Sequence, residues 1–379
     1  MSAIYKKLEE VCEILDSRRV PITAKNRKAG IYPYYGANGL QDYVAEYIFD
    51  DELVLLAEDG GNFGSKERPI AYRVSGKCWV NNHAHVLKAK PLVNVDYLCY
   101  ALMFYNTEGL VNGATRQKLT QMAMRQMVIP YRNMTEQLQI VDEINQVISL
   151  IDKRKEELSL LDQLVKSRFI ELFGDPMTNP YNLPKVVLGS VLTIEPQNGL
   201  YKPQSDYVSD GTGVPILRID SFYDGKVSDL LSLKRLICSE AEMKRYLLYE
   251  NDIVINRVNS IEYLGKCGLI QGLVENTVFE SNMMRLHVDE NKFHPVYITK
   301  LLCSEFIYQQ ILGRAKKAVN QASINQKDVQ SFVVYMPSID QQKQFAAFVA
   351  QTDKSKLAVQ QGLQELETLK KSLMQQYFS

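Results

Sequence analysis

The sequence predicts an α+β fold in which two β-rich α/β domains are each followed by a long helix. The first observation behind this prediction is an internal repeat, because residues 133–173 align without a gap with residues 338–378, at an offset of 205. The second is the composition ahead of each copy, where short apolar runs are bounded by Gly, Asn and Asp. At 379 residues the chain is also too long for one ordinary core.

The first predicted domain covers residues 1–132 and consists mainly of short strands and glycine turns. Residues 43–49 and 53–57 are apolar runs of strand length, and residues 58–62 (Glu-Asp-Gly-Gly-Asn) are typical of a turn. One helix is predicted over residues 95–105. The domain closes with a short helical stretch and an extended run that ends in proline.

The first long helix is predicted over residues 133–173, and a linker continues to residue 180. Asn133 and Glu136 stand three residues apart, as in a capping box, and Pro130 precedes them. Apolar residues then recur every seven positions, which predicts the seam of a coiled coil. These predicted seam residues are Ile144, Ile151, Leu158, Val165 and Leu172.

The second predicted domain covers residues 181–337 and is not a close copy of the first. An apolar run at 252–257 predicts a strand, and residues 295–312 predict one helix. One passage does repeat, because residues 115–121 (Thr-Arg-Gln-Lys-Leu-Thr-Gln) match residues 320–326 (Asn-Gln-Ala-Ser-Ile-Asn-Gln) at the same offset of 205. The pattern therefore combines a repeated scaffold with divergent domains.

The second long helix is predicted over residues 338–379, with a weaker seam. Ser338 and Gln341 supply its starting signal, but Lys356 and Lys370 stand where the first helix has apolar seam residues. The predicted seam residues of this helix are Leu363, Leu366 and Leu373. The alternative is two amphipathic helices that pack on separate cores.

Composition favours a globular protein of the cytoplasm. No apolar run reaches the ~18–20 residues needed to span a bilayer, and residues 1–15 lack the apolar core of a signal peptide. The six cysteines are scattered without a CxxC pair, which predicts reduced thiols and argues against a zinc knuckle.

Motifs for catalysis are weak. Residues 179–181 (Asn-Pro-Tyr) lack the second proline of the amino-group DNA methyltransferase motif, so a linker is the favoured interpretation. Residues 59–64 (Asp-Gly-Gly-Asn-Phe-Gly) have no lysine at Walker spacing and predict a turn.

Two pairs of titratable residues could belong to a metal site or a nuclease site. His83 and His85 would share one face of a strand and could begin a metal site, but the sequence offers no convincing third ligand, which favours a structural role. Glu58 and Asp59 could be nuclease carboxylates, but no ExK sequence follows them.

Basic and amide residues recur at matching places in the two halves. Arg and Lys suit phosphates, and Asn and Gln suit the edge of adenine, so these residues are candidates for contact with nucleic acid. The alternative is an ordinary solvated surface. The candidates are Lys25, Arg27, Tyr35, Asn38, Asn62, Arg116, Gln117, Lys118, Asn198, Lys202, Arg218, Arg257, Lys316, Lys317, Asn320 and Gln321.

The charge balance argues against a nucleic-acid binder that acts alone. The chain has 44 basic and 44 acidic residues. Counted by segment, residues 1–132 carry 17 − 14 = +3, residues 133–173 carry 5 − 8 = −3, residues 174–337 carry 17 − 18 = −1 and residues 338–379 carry 5 − 4 = +1. Because phosphate contacts dominate affinity, this neutrality predicts weak, salt-sensitive DNA binding without partners.

These residues resemble the specificity subunit of type I restriction-modification systems over the whole chain. The most specific passage is residues 167–176 (Ser-Arg-Phe-Ile-Glu-Leu-Phe-Gly-Asp-Pro), and residues 33–39 and 197–199 are also similar to members of this family. Glu136-Gln137 is a further family feature, from which Gln341-Gln342 departs mildly.

The resemblance implies a fold and a role. Two target-recognition domains in inverted orientations would be separated by the two long helices, which pair antiparallel as spacers with a pseudo-twofold internal repeat. Each domain would read one half of a bipartite site in double-stranded DNA, and the helices would fix the gap between the halves.

The resemblance also implies partners. Two methyltransferase subunits would dock on the helices and methylate adenine, and restriction subunits would join them to cut DNA. S-adenosylmethionine, ATP and Mg would then belong to the partners, and this chain would hold no cofactor, no metal and no catalytic residue. Two alternatives remain: a coiled-coil scaffold that never touches DNA, and a component of a fused single-chain DNA methyltransferase or nuclease.

Overall fold

The computed structural model of the chain describes residues 4–113, 117–227 and 230–378. The chain divides into two compact units. Unit 1 consists of Met1–Glu157 together with Val359–Ser379, and unit 2 consists of Leu158–Ala358. Both boundaries between the units fall within the two long helices, so each helix contributes residues to both units.

Unit 1 is built mainly from strands. Its strands are β1 (Ile4–Lys7), β2 (Cys12–Ile14), β3 (Ala29–Gly36), β4 (Gly39–Val44), β5 (Phe49–Ala57), β6 (Ala71–Val80), β7 (Ala84–Ala89), β8 (Val111–Asn112), β9 (Lys118–Leu119) and β10 (Val128–Tyr131). Its short helices are α1 (Leu8–Val11), α2 (Val95–Met103) and α3 (Gln121–Gln126), with 3₁₀ turns at Asp16–Arg18 and Ala24–Asn26.

Unit 2 contains more and shorter strands. They are β11 (Lys185–Val187), β12 (Gln197–Asn198), β13 (Tyr207–Val208), β14 (Val214–Leu217), β15 (Phe222–Tyr223), β16 (Gly225–Val227), β17 (Arg235–Leu236), β18 (Ile253–Asn256), β19 (Val258–Asn259), β20 (Cys267–Leu269), β21 (Val278–Phe279), β22 (Met283–Leu286), β23 (Lys316–Lys317), β24 (Ala322–Ser323) and β25 (Val333–Tyr335). The long helices are α4 (Met134–Phe173) and α9 (Ile339–Phe378), and the short ones are α5 (Glu240–Tyr246), α6 (Pro295–Leu302), α7 (Glu305–Leu312) and α8 (Gln326–Gln330).

The two units share a sheet topology that their sequences hide. The six-stranded sheet of unit 1 has the order β2-β7-β5-β6-β3-β4, and that of unit 2 has the order β12-β22-β18-β20-β16-β15. In both sheets the fourth and fifth strands are parallel (β6 with β3, β20 with β16) and the other neighbours are antiparallel. The hairpin β8–β9 in unit 1 has its counterpart in β23–β24, which begins 205 residues later.

Each long helix has 40 residues and begins at the predicted cap. Asn133 accepts a hydrogen bond from the amide of Glu136 at 2.9 Å, and Ser338 accepts one from the amide of Gln341 at 3.3 Å. Helix α4 ends at Gly174, whose φ of 76° is the left-handed conformation in which glycine commonly terminates a helix.

The long helices run antiparallel in each unit. In unit 1, Ile140 and Ile144 near the start of α4 pack with Leu373 and Tyr377 near the end of α9. In unit 2, Phe169 near the end of α4 packs edge-on against Phe345 near the start of α9, with ring centroids 5.4 Å apart. The predicted antiparallel pairing is confirmed, and the alternative of helices on separate cores is wrong.

Burial of the predicted seam is uneven. Ile144, Ile151 and Val165 are buried, and the remaining members are half-buried: Leu158, Leu172, Leu363, Leu366 and Leu373. Lys356, which interrupts the second seam, forms an ion pair with Asp162 of α4. An ion pair between the helices therefore replaces an apolar contact at that position.

A buried glutamine fixes the start of each long helix to its domain. Gln137 accepts a hydrogen bond from the amide of Asn94 at 2.8 Å, and its Nε2 donates to the carbonyls of Leu92 and Arg132 at 3.0 and 2.7 Å. In unit 2, Gln342 makes the same three bonds, accepting from His294 at 2.8 Å and donating to the carbonyls of Lys292 and Pro337, both at 3.0 Å. Both side chains are fully buried.

An aromatic contact repeats beside each glutamine. The hydroxyl of Tyr97 donates to the carbonyl of Pro130 at 2.9 Å, and that of Tyr297 donates to the carbonyl of Tyr335 at 3.0 Å. The end of α9 packs on the first ring through Phe378, and the end of α4 packs on the second through Phe173, with centroids 5.1 and 4.6 Å apart. Each domain therefore holds the start of one long helix and the end of the other.

Several predicted elements need correction. The helix predicted over residues 295–312 is two helices, because the chain turns at Cys303 and Ser304 before α7 begins. The helix predicted over residues 95–105 ends at Met103. The predicted strand at 43–49 is divided between the end of β4 and the start of β5, with a bend between them.

No helix in the described part of the chain has both the length and the apolar character that a membrane span requires. All six cysteines are free thiols.

Substituting Gln342 with Met should destabilise the protein. The change keeps the side chain's length but leaves one buried amide and two buried carbonyls without their partner, which should lower the free energy of unfolding by roughly 2–4 kcal/mol. The measurement is urea denaturation followed by circular dichroism. Gln360 of the same helix is exposed, so Gln360→Met is the matched control, and an equal loss from both variants would contradict the role of Gln342.

Candidate nucleic-acid interface

Three loops of unit 1 meet at one end of its sheet. The amide of Gly60 donates to the carbonyl of Gln117 at 3.1 Å, and the Asn38 side chain donates to the carbonyl of Gly60 at 3.0 Å. Lys118 follows Gln117 and is exposed, as are Gln117 and Asn38. We call this group the first loop cluster: Asn38, Gly60, Asn62, Gln117 and Lys118.

A buried ionic network lies beneath the first loop cluster. The Arg19 guanidinium donates to Glu58 at 2.6 Å and lies 3.5 Å from the Asp16 carboxylate. Lys118 reaches the other oxygen of Glu58 at 3.1 Å. His85 is fully buried, with Nδ1 2.6 Å from Asp16 and Nε2 2.9 Å from the carbonyl of Leu119.

The network keeps its two carboxylates ionised. Burial opposes ionisation of Asp16, but the hydrogen bond and charge of His85 outweigh it, so the pKa of this carboxyl lies below its ordinary value. Burial likewise opposes ionisation of Glu58, and hydrogen bonds from Arg19 and Lys118 lower the pKa of that carboxyl. The interior of the loop cluster is therefore charged.

The network changes the interpretation of the histidine pair. His83 precedes β7 and contacts Asp59, whereas His85 lies within the strand, so the two rings do not share a site. Instead, His85 is grouped with Asp16 and Glu58, and one potential ligand atom from each of the three lies within 4.8 Å of the others. The sequence did not indicate this group. Because Arg19 and Lys118 already neutralise these carboxylates, the group suits an ion-pair network better than a metal ion.

The hairpin β23–β24 forms the centre of a second cluster in unit 2. Strand β24 also pairs with β19, and the amide of Ile324 donates to the carbonyl of Arg257 at 3.0 Å. Arg257 in turn donates through Nη1 to the carbonyl of Ser281 at 3.0 Å. The hairpin exposes Lys316, Lys317, Asn320 and Gln321. We call these residues, with Asn198, Arg218 and Arg257, the second loop cluster.

Backbone crowding brings Asn198 to the same place. The amide of Gly199 donates to the carbonyl of Met283 at 3.1 Å. A Cβ at Gly199 would lie 2.2 Å from the carbonyl oxygen of Glu280, so only glycine allows this approach. The Oδ1 atom of Asn198 is buried and has no hydrogen-bond partner in the part of the chain that the structure describes.

Arg218 is weakly engaged by the protein. Carboxylate oxygens of Glu280 and Asp220 lie 3.7 and 3.9 Å from Nε, and this Nε is buried without a hydrogen-bond partner among the described residues. By contrast, Arg235 donates two bonds to Glu275, at 2.7 and 2.8 Å, and two more to backbone carbonyls. Burial raises the pKa of Glu280, which agrees with its distance from the guanidinium.

Other predicted site residues lie outside the two loop clusters or are engaged locally. Arg27 pairs with Asp42 at 3.2 Å, and Lys202 pairs with Glu242 at 3.0 Å. Tyr35 is half-buried in β3, and Lys25 is exposed in the turn before it. Arg116 lies outside the described residues.

Two sequence motifs prove to be turns. Asn179 has a φ of 46° and exchanges hydrogen bonds with both backbone groups of Leu183, so residues 179–181 belong to a folded linker. The glycine-rich passage at 59–64 continues from β5 into the first loop cluster, where the carbonyl of Asn62 accepts from the amide of Ser65 at 3.0 Å.

Sequence reasoning did not identify Asp16, Arg19 and Glu280 as parts of these clusters. No local pattern joins Asp16 to His85 or Glu280 to Arg218, which are 69 and 62 positions apart. The offset of 205 did predict that residues 115–121 correspond to residues 320–326, and these passages contain β9 and β24.

Comparison with known proteins agrees with this organisation. A family model described as "Type I restriction modification DNA specificity domain" matches residues 4–160 and 182–368. The chain is 30% identical over 291 residues to a putative type I restriction enzyme specificity subunit of Haemophilus influenzae, covering 76% of this chain and 72% of that protein. It is 23% identical over 349 residues to the EcoKI specificity subunit of Escherichia coli, covering 86% and 74% of the two chains.

A solved structure shares the fold. The S subunit of a type I restriction-modification system from M. genitalium aligns with 100% of this chain and 96% of its own, with a TM-score of 0.57 and 13% sequence identity. The family model matches two segments that together cover most of the chain, one centred on each domain. The chain therefore belongs to the family of type I restriction-modification DNA specificity subunits.

Proposed function

We propose that each domain of this chain reads one half of a bipartite DNA site through its loop cluster, and that the paired helices fix the gap between the halves. The observation that carries the proposal is the duplicated junction: Gln137 and Gln342 make the same three hydrogen bonds in two domains whose exposed loops differ. A repeated scaffold with divergent loops suits the reading of two unlike sequences.

The side chains of the clusters suit contact with bases and phosphates. Amides such as those of Asn38 and Gln117 can pair with the donor and acceptor of adenine, and arginine can bind the two acceptors of guanine. Lys316 and Lys317 stand exposed on the second hairpin, where they can bind phosphates.

Partners would supply the rest of the reaction. Two methyltransferase subunits dock on the long helices and transfer the methyl group, and restriction subunits join to cut DNA. S-adenosylmethionine, ATP and Mg bind to those subunits, and this chain contributes recognition without catalysis. The neutral charge of the chain supports this division, because tight DNA binding then requires basic surfaces from the partners.

The two alternatives have less support. A scaffold that never touches DNA leaves the under-engaged Arg218 and the exposed hairpins unexplained. A fused methyltransferase or nuclease needs a catalytic domain, whereas the family model already covers residues 4–160 and 182–368.

Replacing Arg218 with Ala should weaken DNA recognition more than it weakens the fold. We expect the loss of one base contact to cost about 1–3 kcal/mol of discrimination at one position of the site, with little change in melting temperature. Arg235→Ala is the matched control, and because it removes four hydrogen bonds within the protein, it should lower the melting temperature instead. Binding of labelled duplexes by the chain with its methyltransferase subunits measures the first effect; unchanged discrimination in Arg218→Ala refutes it.

Exchanging residues 181–337 for the matching segment of a relative with another site should change one half of the methylated motif and preserve the other. The junction at Gln342 binds backbone atoms, so a new domain can occupy it. Single-molecule sequencing of methylated DNA from cells that also express the methyltransferase subunits provides the motif. An unchanged motif would favour the scaffold alternative.

Inserting one heptad after Glu157 in α4 and a matching heptad after Ala358 in α9 should lengthen the gap by about three base pairs. Seven helical residues add about 10 Å, and base pairs are stacked about 3.4 Å apart. The same motif sequencing reads the gap. Seven residues inserted at the exposed turn of Gly211 provide the control, which should leave the gap unchanged, and equal gaps in all three chains would rule out the helices as spacers.

A further inference from the structure

His85 stands between the first loop cluster and the body of unit 1, and both of its ring nitrogens face acceptors. Nδ1 lies 2.6 Å from Asp16 Oδ2, and Nε2 lies 2.9 Å from the carbonyl oxygen of Leu119. Asp16 is ionised, as its lowered pKa indicates, and a backbone carbonyl can only accept. The ring therefore links the carboxylate of Asp16 to the main chain of β9.

Charged side chains surround the ring. Asp16 and Glu58 are the carboxylates that face it, the second at 3.7 Å from Nδ1. Arg19 and Lys118 are cations of the network, and both are bonded to Glu58. Gln121, at the start of α3, donates to the same Asp16 oxygen as the ring, at 3.0 Å.

The contact between Nε2 and Leu119 connects the ring to the loops. Leu119 belongs to β9, and its amide donates to the carbonyl of Glu58 at 2.7 Å. Two residues earlier, Gln117 accepts from Gly60, which in turn accepts from Asn38. One series of hydrogen bonds thus runs from the buried ring to all three loops of the first loop cluster.

We propose that His85 is a positioning residue for DNA reading by the first domain, holding the first loop cluster in place through its bonds to Asp16 and to the carbonyl of Leu119. This inference rests on the proposed function. The ring is fully buried and acts through the loops without touching DNA. Without the contact between Nε2 and the carbonyl of Leu119, β9 and the loop at Gly60 should move apart. The amide side chains of the first loop cluster would then no longer hold one fixed position relative to the bases.

The test compares His85→Gln with His287→Gln. The single side-chain nitrogen of a glutamine at position 85 cannot stand where both ring nitrogens stand, so one of the two contacts is lost and discrimination between bases should fall about tenfold in one half-site. His287 contacts Asp252 in unit 2, so His287→Gln is the matched control.

The readout is the methylated motif made by each full chain with the methyltransferase subunits. The half-site of the first domain is the half that the exchange of residues 181–337 leaves unchanged. Relaxation of that half alone in His85→Gln, with retention in His287→Gln, supports the proposal. An unaltered motif in His85→Gln overturns it, as does equal relaxation of both halves.

A second variant keeps the outcomes separate. If His85→Gln does not fold, Gln121→Leu removes a single bond to Asp16 and must relax the same half-site; an unaltered motif then counts against positioning. Failure of the proposed function itself would be evident in the unsubstituted chain, which would direct methylation to no bipartite motif.

Discussion

The structure depends on a buried amide at the start of each long helix. Gln137 and Gln342 are fully buried, and their hydrogen bonds join the first turns of α4 and α9 to the domains that precede them. Separating helix from domain would leave three buried polar groups unpaired at each junction. The aromatic contacts of Tyr97 and Tyr297 add the end of the opposite helix to the same junction. Each domain is thereby fixed to both helices at once.

The two domains support their exposed loops in different ways. In unit 1 a network of ion pairs holds the loops from below, and hydrogen bonds lower the pKa of Glu58 despite its burial. In unit 2 burial raises the pKa of the comparable carboxyl, Glu280, and its arginine partner lies 3.7 Å away. One arrangement confines the loops, and the other leaves Arg218 available to an external acceptor. The same sheet topology therefore carries two unlike surfaces.

The sequence predicted the parts of the fold that depend on local periodicity. Helices α4 and α9 followed from the heptad pattern and the capping residues, and the correspondence of residues 115–121 with residues 320–326 followed from the offset of 205. These are short-range features or an alignment of them. The break at Cys303 and Ser304 was missed, since the apolar pattern continues through it and only the turn in the structure reveals two helices. The network around His85 was missed because its members are far apart in sequence and meet only when β7 and β9 are placed in the folded domain.

The glutamine junctions have a consequence for how such a protein can change. The three hydrogen bonds of the Gln137 side chain all go to main-chain atoms, at Leu92, Asn94 and Arg132. Recognition of main-chain atoms does not depend on which side chains surround them. Mutations can therefore accumulate throughout the domain surface without weakening its attachment, and selection for a new target can proceed separately from selection for assembly.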